Sequence, residues 1–334
     1  MAGSGSSALR HGANGDVEIV MSVRDLVVEY PASRRRTVHA VSGISFDVAR
    51  GETLGIVGES GCGKTSTGRA VMQLERSTAT AIELNGSDLT RLEGRALRRA
   101  RRSMQMIFQD PVSSLNPSRR VGNLVREGLR TWGTDESSLP DDWVDSVMSS
   151  VGLADAGVAE RRPHEFSGGQ CQRICIARAL VMDPDVLILD EPVSALDVSV
   201  QAQILNLLEA LKEQFLLTML FISHDLAVVK NVSDRVMVMY LGKVCEIADT
   251  DSIYGSPHHP YTRALLASIP GRQLGLPPAT ELISGELPSP LDPPSGCRFR
   301  TRCPRASELC ASEEPLLREV APGHHAACHH PALP

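Results

Sequence analysis

The apolar run Leu54-Gly55-Ile56-Val57 leads straight into Gly58-Glu59-Ser60-Gly61-Cys62-Gly63-Lys64-Thr65, a junction that narrows the possible folds more than any other stretch of this chain. A short continuous apolar run suits a strand buried on both faces. The spacing G-x-x-x-x-G-K-T after it is that of a loop that cradles phosphate. Glycines let consecutive backbone N–H groups turn inward toward oxygens, and a helix from Thr65 to about Gln73 adds the positive end of its dipole. Lys64 would neutralise the β- and γ-phosphates, and the Thr65 hydroxyl would ligate Mg²⁺. Gly58, Ser60, Gly61, Cys62, Gly63, Lys64, Thr65 and Ser66 are the expected phosphate contacts.

The remaining pattern fits that start. Residues 17–50 alternate apolar and polar, as in Leu26-Val27-Val28-Glu29-Tyr30, which predicts short strands. Residues 88–102 read as helical, Met104 to Phe108 as a strand ending at Gln109, and 120–182 as helical with loops at 131–141 and 154–164. Val186 to Asp190 is a core strand. Residues 199–215 form an amphipathic helix with Val200, Ile204, Leu207, Leu208 and Leu211 on one face. Met219 to Ile222 and Val236 to Met239 are further strands. Alternating helices and strands predict an α/β fold with a largely parallel sheet. No internal repeat is present, so one nucleotide-binding domain is expected over 17–250, with a helical part at about 110–182. Residues 1–16 read as a disordered Gly/Ser/Ala tail. From 251 to 334 prolines become dense, which predicts an extended appendage rather than a second core.

Bulk properties exclude some functions. The net charge of -6 gives no reason to expect a nucleic-acid surface. The basic runs Arg34-Arg35-Arg36 and Arg95 to Arg102 read as solvated faces, with contact to lipid headgroups or a membrane subunit as the sharper alternative. No apolar run approaches the roughly 20 residues that span a bilayer, and the N-terminus lacks an apolar signal segment. The chain is expected in the cytoplasm, brought to any membrane by another subunit.

Three further clusters carry chemistry. Asp190 ends an apolar strand, where ligands of α/β folds bind, and would hold Mg²⁺ directly or through water. Glu191 follows and would polarise an attacking water. Ser167 caps an apolar helix, and Gly168 and Gly169 expose its N–H groups beside Gln170, which makes an anion site. Tyr30 is the aromatic best placed to stack on adenine, or else a packing residue at a strand end.

Taken together, Gly58 to Thr65, Phe166-Ser167-Gly168-Gly169-Gln170, Val186 to Glu191 with Pro192-Val193-Ser194-Ala195-Leu196-Asp197, and His224 resemble the P-loop ATPase domains of ABC proteins. Finer detail resembles the ATP-binding subunits of oligopeptide and dipeptide importers. It lies in Ile107 to Pro111, Ser114 to Pro117, Pro163 to Arg173, Ser199 to Gln203, His259 to Leu266, and Gly285 to Cys297. Cys171 and the tail Phe299 to Pro304 look most like the F-type chain of a two-ATPase pair. The resemblance spans about residue 22 to Cys328. It implies that Gln109 senses the γ-phosphate and metal, that His224 bonds the γ-phosphate, and that Ser167 to Gln170 complete the pocket of an opposite ATPase subunit, so that hydrolysis follows dimer closure. Catalysis would fall to Glu191, His224, Lys64 and Gln109, and Mg²⁺ to Thr65, Gln109 and Asp190. The implied partners are a second homologous ATPase, two permease subunits and an extracytoplasmic peptide-binding protein, with residues 110–165 receiving a coupling helix and no nucleic acid involved. The place of work would be the cytoplasmic face of the membrane. Related importers carry nickel, glutathione or antimicrobial peptides, and a soluble ABC ATPase is the remaining alternative.

Eight cysteines divide into two groups. Cys62 and Cys171 read as small packing residues. Cys297, Cys303, Cys310 and Cys328 cluster near the end without the paired C-x₂-C of a zinc ribbon. Resemblance to importer ATPases with this tail implies a [4Fe–4S] cluster. Zinc using His324, His325, His329 or His330, and free thiols, stay open alternatives.

Overall fold

The computed structural model describes residues 17–32, 36–75, 77–134, 139–140, 142–155, 157–269, 283 and 285–332. The expected tail at 1–16 lies outside these residues, as do Arg34 and Arg35. Two units make up the chain. One comprises residues up to Leu92 and from Phe221 onward, and the other Glu93–Leu220.

The first unit opens with β1 (Ile19–Pro31) and β2 (Thr37–Ala49), paired antiparallel. These are long strands rather than the short ones expected, because register shifts such as that between Val23 and Leu26 absorb the polar breaks without ending the ladder. Met21, Val23, Leu26, Val28, Phe46 and Val48 face the core. β3 (Thr53–Val57) is buried at every residue and feeds the glycine-rich loop and then α1 (Lys64–Val71). β4 (Ala81–Leu84) and β5 (Ser87–Asp88) complete a four-stranded sheet in the order β2-β1-β4-β5.

In the second unit, α2 (Gly94–Ala100) and a 3-10 turn at Arg101–Ser103 stand where one helical stretch was expected. α2 buries none of its residues, so its arginines are solvated. β6 (Met104–Ile107) pairs in parallel with β7 (Val186–Asp190). Between them lie α3 (Val121–Val125), α4 (Glu127–Trp132), α5 (Trp143–Ser150) and α6 (Gly168–Leu180). α6 is the hub, burying Ile174, Ile176, Ala177 and Leu180 against the others. α7 (Val198–Phe215) buries Ile204, Leu205, Leu208 and Leu211; of its expected apolar face, Val200 and Leu207 are half-buried. β8 (Thr218–Ser223) closes this unit and carries the chain into the first.

Back in the first unit follow α8 (Leu226–Val232), β9 (Arg235–Tyr240) and β10 (Lys243–Asp249). Then come α9 (Thr250–Gly255), α10 (Pro260–Ala267), α11 (Glu308–Ser312), β11 (Arg318–Ala321) and β12 (His324–Ala326). Strand order within this unit runs β11-β12-β10-β9-β3. β3 and β9 are parallel, whereas β9–β10, β10–β12 and β12–β11 are antiparallel. Among the described residues the segment after 250 is not merely extended. It adds strands to the sheet and buries Tyr254, Tyr261 and Phe299. Pro260 fits because it occupies the first turn of α10, where no N–H is required.

A buried carboxylate fastens this segment. Glu246 on β10 is fully buried and accepts hydrogen bonds from the His258 N–H at 2.6 Å, the His259 N–H at 3.0 Å and His324 Nε2 at 2.6 Å. His258 Nδ1 in turn lies 2.6 Å from the Ala332 carbonyl. One side chain on β10 thus holds the start of α10 and β12 together.

Candidate functional site

The loop between β3 and α1 takes the shape its glycines allow. Gly58 has φ 153° and Gly63 φ 103°. A Cβ at Gly58 would stand 2.1 Å from the Met239 carbonyl oxygen, and one at Gly63 2.2 Å from that of Ala40. Any side chain there collides with backbone, so these two positions accept only glycine. Lys64 is buried, and its Nζ donates to the carbonyls of Gly58 at 2.8 Å and Glu59 at 3.1 Å. The ammonium is therefore held inside the loop's curve. Thr65 and Ser66 follow in the first turn of α1. Tyr30, at the end of β1, donates from its hydroxyl to Ser66 Oγ at 3.2 Å, which sets its ring beside the loop. Cys62 is 1% exposed, and burial pushes its thiol pKa up against the pull of Lys64, as expected of a packing residue. His224 follows β8 and is exposed; Asp225 beside it caps α8.

The second unit assembles its own constellation. Asp190 ends β7 almost completely buried. Glu191 follows at φ 49°, a left-handed conformation uncommon for a residue with a side chain. Gln109, just past β6, donates from Nε2 to Glu191 Oε2 at 2.9 Å. The strand pair β6–β7 brings these two side chains together across 82 positions of sequence. Gln201 on α7 donates to the carbonyls of Val193 and Leu196, fixing the turn after Glu191. Ser167 accepts from the Gln170 N–H at 3.3 Å while the Gln170 side chain accepts from the Ser167 N–H at 3.0 Å. This reciprocal pair caps α6. Gly169 is needed there because a Cβ would reach 2.5 Å from Val200 Cγ1. Burial raises the thiol pKa of Cys171, and that of Cys175 to about 11; both are packing residues.

At the C-terminal end, Cys297, Cys303, Cys310 and Cys328 line one small cavity with Arg300 and Arg305. Gly296 allows this approach: at φ 60°, its Cβ would meet the Cys310 carbonyl oxygen at 2.5 Å. The His330 N–H donates to Cys328 Sγ at 3.3 Å. Burial lifts the thiols of Cys297 and Cys328 to about 11, their neighbouring cysteines add to this, and backbone N–H groups oppose it. Among the described residues no three His, Cys, Asp or Glu side chains are arranged to hold a single metal ion. The four sulfurs line one cavity, and backbone N–H groups lie against Cys297, Cys303 and Cys328.

Residues 41–194 match the ABC transporter family, and residues 245–310 match the C-terminal region of oligopeptide/dipeptide transporters. The oligopeptide transport ATP-binding protein AppF of Bacillus subtilis is 47% identical over 321 residues, covering 93% of this chain and 97% of that protein. The chain belongs to the oligopeptide/dipeptide branch of the ABC transporter family. OppF of Salmonella typhimurium, another oligopeptide transport ATP-binding protein, is 46% identical, covering 90% of this chain and 93% of that one. Among solved structures, cbiO1 of Clostridium perfringens, part of the ABC transporter complex cbiONQ, aligns with a TM-score of 0.63 at 27% identity, over 72% of this chain and 92% of that one. An ATP-binding cassette captured as a post-hydrolysis dimer with ADP and Pi shares the fold at a TM-score of 0.61 and 23% identity, over 69% of this chain and 98% of that one. This chain is accordingly an ABC ATPase. Among its described residues no helix is long and apolar enough to cross a membrane.

Sequence reasoning did not find Arg302, Tyr261 and Phe299, which pack behind the phosphate loop. All three lie in stretches that resemble the importer family, His259 to Leu266 and Phe299 to Pro304, but no local spacing signals that they brace the loop.

Proposed function

We propose that this ATPase energises uptake of oligopeptides or dipeptides, hydrolysing Mg-ATP at the cytoplasmic face of the membrane. The observation that carries the catalytic half is the Gln109–Glu191 hydrogen bond of 2.9 Å. It joins the residue proposed to polarise water to one that precedes the permease-facing surface. Lys64, Thr65 and the loop N–H groups bind the phosphates, Tyr30 lies against adenine, and His224 bonds the γ-phosphate. Thr65, Gln109 and Asp190 hold Mg²⁺, which supplies charge neutralisation along the phosphates. Ser167 to Gln170 complete the ATP site of a second, homologous ATPase subunit, so turnover requires closure of the pair.

Two permease subunits receive this motion, and an extracytoplasmic binding protein delivers peptide. Residues 17–250 form the nucleotide-binding domain and 251–334 the extension, with the permease seated on 110–165. Phe108 and Val112, flanking Gln109 to Pro111, leave apolar side chains exposed and support a docking role for that edge. The four C-terminal cysteines hold a [4Fe–4S] cluster that orders the tail, supported by their common cavity.

The test is affinity purification from native membranes, followed by peptide uptake in vesicles rebuilt from the recovered chains. Two permease subunits, a second ATPase and ATP-driven uptake are the expected outcome. Recovery of the chain alone or with nucleic acid would overturn the importer assignment.

A further inference from the structure

The C-terminal extension meets the phosphate loop at Glu59 and grips that residue from two sides. The Arg302 guanidinium donates to both carboxylate oxygens of Glu59, at 3.1 and 2.8 Å. The Glu59 N–H donates to the Tyr261 hydroxyl at 2.9 Å. The Glu59 carbonyl accepts from Lys64 Nζ and also from the Cys62 N–H. One residue of the loop is thus pinned through side chain and N–H by the extension, while its carbonyl holds the phosphate-binding lysine.

The grip itself is rigid. Tyr240, Tyr261 and Phe299 are each no more than 1% exposed and meet edge-on or tilted, with ring centroids 4.7 to 5.4 Å apart. Aromatics make up only 4% of this chain, so three gathered at one place are a local investment. Arg302 lies over the Tyr240 ring, its side chain 10% exposed, and the Glu59 carboxylate is 25% exposed. The pair is shielded enough for its attraction to matter. Phe299 and Arg302 both lie between Cys297 and Cys303, so the segment that lines the cysteine cavity is the segment that braces the loop.

We propose that Arg302 is a positioning residue for ATP binding: through Glu59, and with Tyr261, it sets where Lys64 stands, so the C-terminal extension tunes nucleotide affinity. This rests on the reading of residues 58–66 as the phosphate loop. Arg302 acts through Glu59 rather than by touching nucleotide. It acts on affinity rather than on the chemical step, because Glu191 and Gln109 belong to other elements.

The test measures Mg-ATP dissociation constants with a fluorescent ATP analogue on full-length chains, together with kcat and KM in the assembled transporter. Arg302→Met and Glu59→Gln should each weaken binding about tenfold, the scale of a lost charge-assisted hydrogen-bonded pair. The double variant should be no weaker than either single one. Arg302→Lys should recover much of the affinity, and kcat at saturating ATP should stay within about twofold of wild type. Additive losses, or a fall in kcat with affinity unchanged, would overturn the proposal. If Arg302→Met fails to fold, Glu59→Gln, nearly isosteric and on the loop side, reads the same contact, and wild-type affinity there overturns it. Lys64→Ala separates the two layers: if it binds ATP as well as wild type, the loop reading itself fails and the proposal falls with it.

Discussion

Glu191 holds φ 49°, a conformation that costs a residue with a side chain about 1–3 kcal/mol. The turn that follows over-determines it, through Ser194, whose hydroxyl donates to the Glu191 carbonyl at 3.1 Å, and through Gln201. Glu191→Gln keeps that backbone and the reach to Gln109 but removes the negative charge. Hydrolysis should fall about 10²- to 10⁴-fold while Mg-ATP binding persists, measured by single-turnover phosphate release alongside equilibrium binding. Unchanged turnover would refute the assigned role. At Gly58 the limit is space: Gly58→Ala sets a methyl 2.1 Å from the Met239 carbonyl. Mg-ATP affinity should drop at least about tenfold, and the same titration would show it. Both side-chain identities were legible in sequence, since a phosphate loop and a strand-end carboxylate pair occupy consecutive residues. The φ of Glu191 was not, because it depends on how the turn is tied to α7.

At the scale of elements, Glu246 decides how β10, α10 and β12 stay together. Burial pushes its carboxyl pKa up, but the hydrogen bond from His324 and that from the His258 N–H outweigh burial, and the pKa falls below the usual 4.5. A folded value below the unfolded one means the unfolded chain takes up the proton first as pH drops. The stabilisation is therefore present above about pH 4.5 and lost as pH falls through the folded value. Thermal melting followed from pH 7 to pH 3 should show this loss in wild type and a flatter profile in Glu246→Gln. Glu246→Leu should cost about 3–5 kcal/mol in chemical denaturation at neutral pH, since it strands buried donors. β3, β6 to β9, α1 and α7 were readable from apolar runs or periodicity, whereas β10 and α8 to α11 were not read. The lengths of β1 and β2 were not, because bulges carry a ladder past polar breaks that read as strand ends. The C-terminal strands escaped notice for a related reason. β11 and β12 have four and three residues, too short for any alternation to register.

At the scale of the whole molecule, the extension and the phosphate loop share one unit, which gives the cysteine site a mechanical neighbour. Cys303→Ser should abolish iron and labile sulfide in the purified chain, and proteolysis should then cut faster within 297–332. Full retention of iron would show that the cysteine set is wrong. Sequence alone determined the ATPase family and pointed to the phosphate loop and its candidate side chains. A loop that binds phosphate works through its own consecutive N–H groups, and a helix cap or a strand-end carboxylate is equally local. Only the tertiary structure decided that Arg302 meets Glu59 across 243 positions, and that Tyr261 meets it across 202. Contacts of that kind leave no spacing to read. They exist because β9 and β10 bring the chain back beside β3, and because burial there makes one ion pair and three aromatic rings worth holding in place.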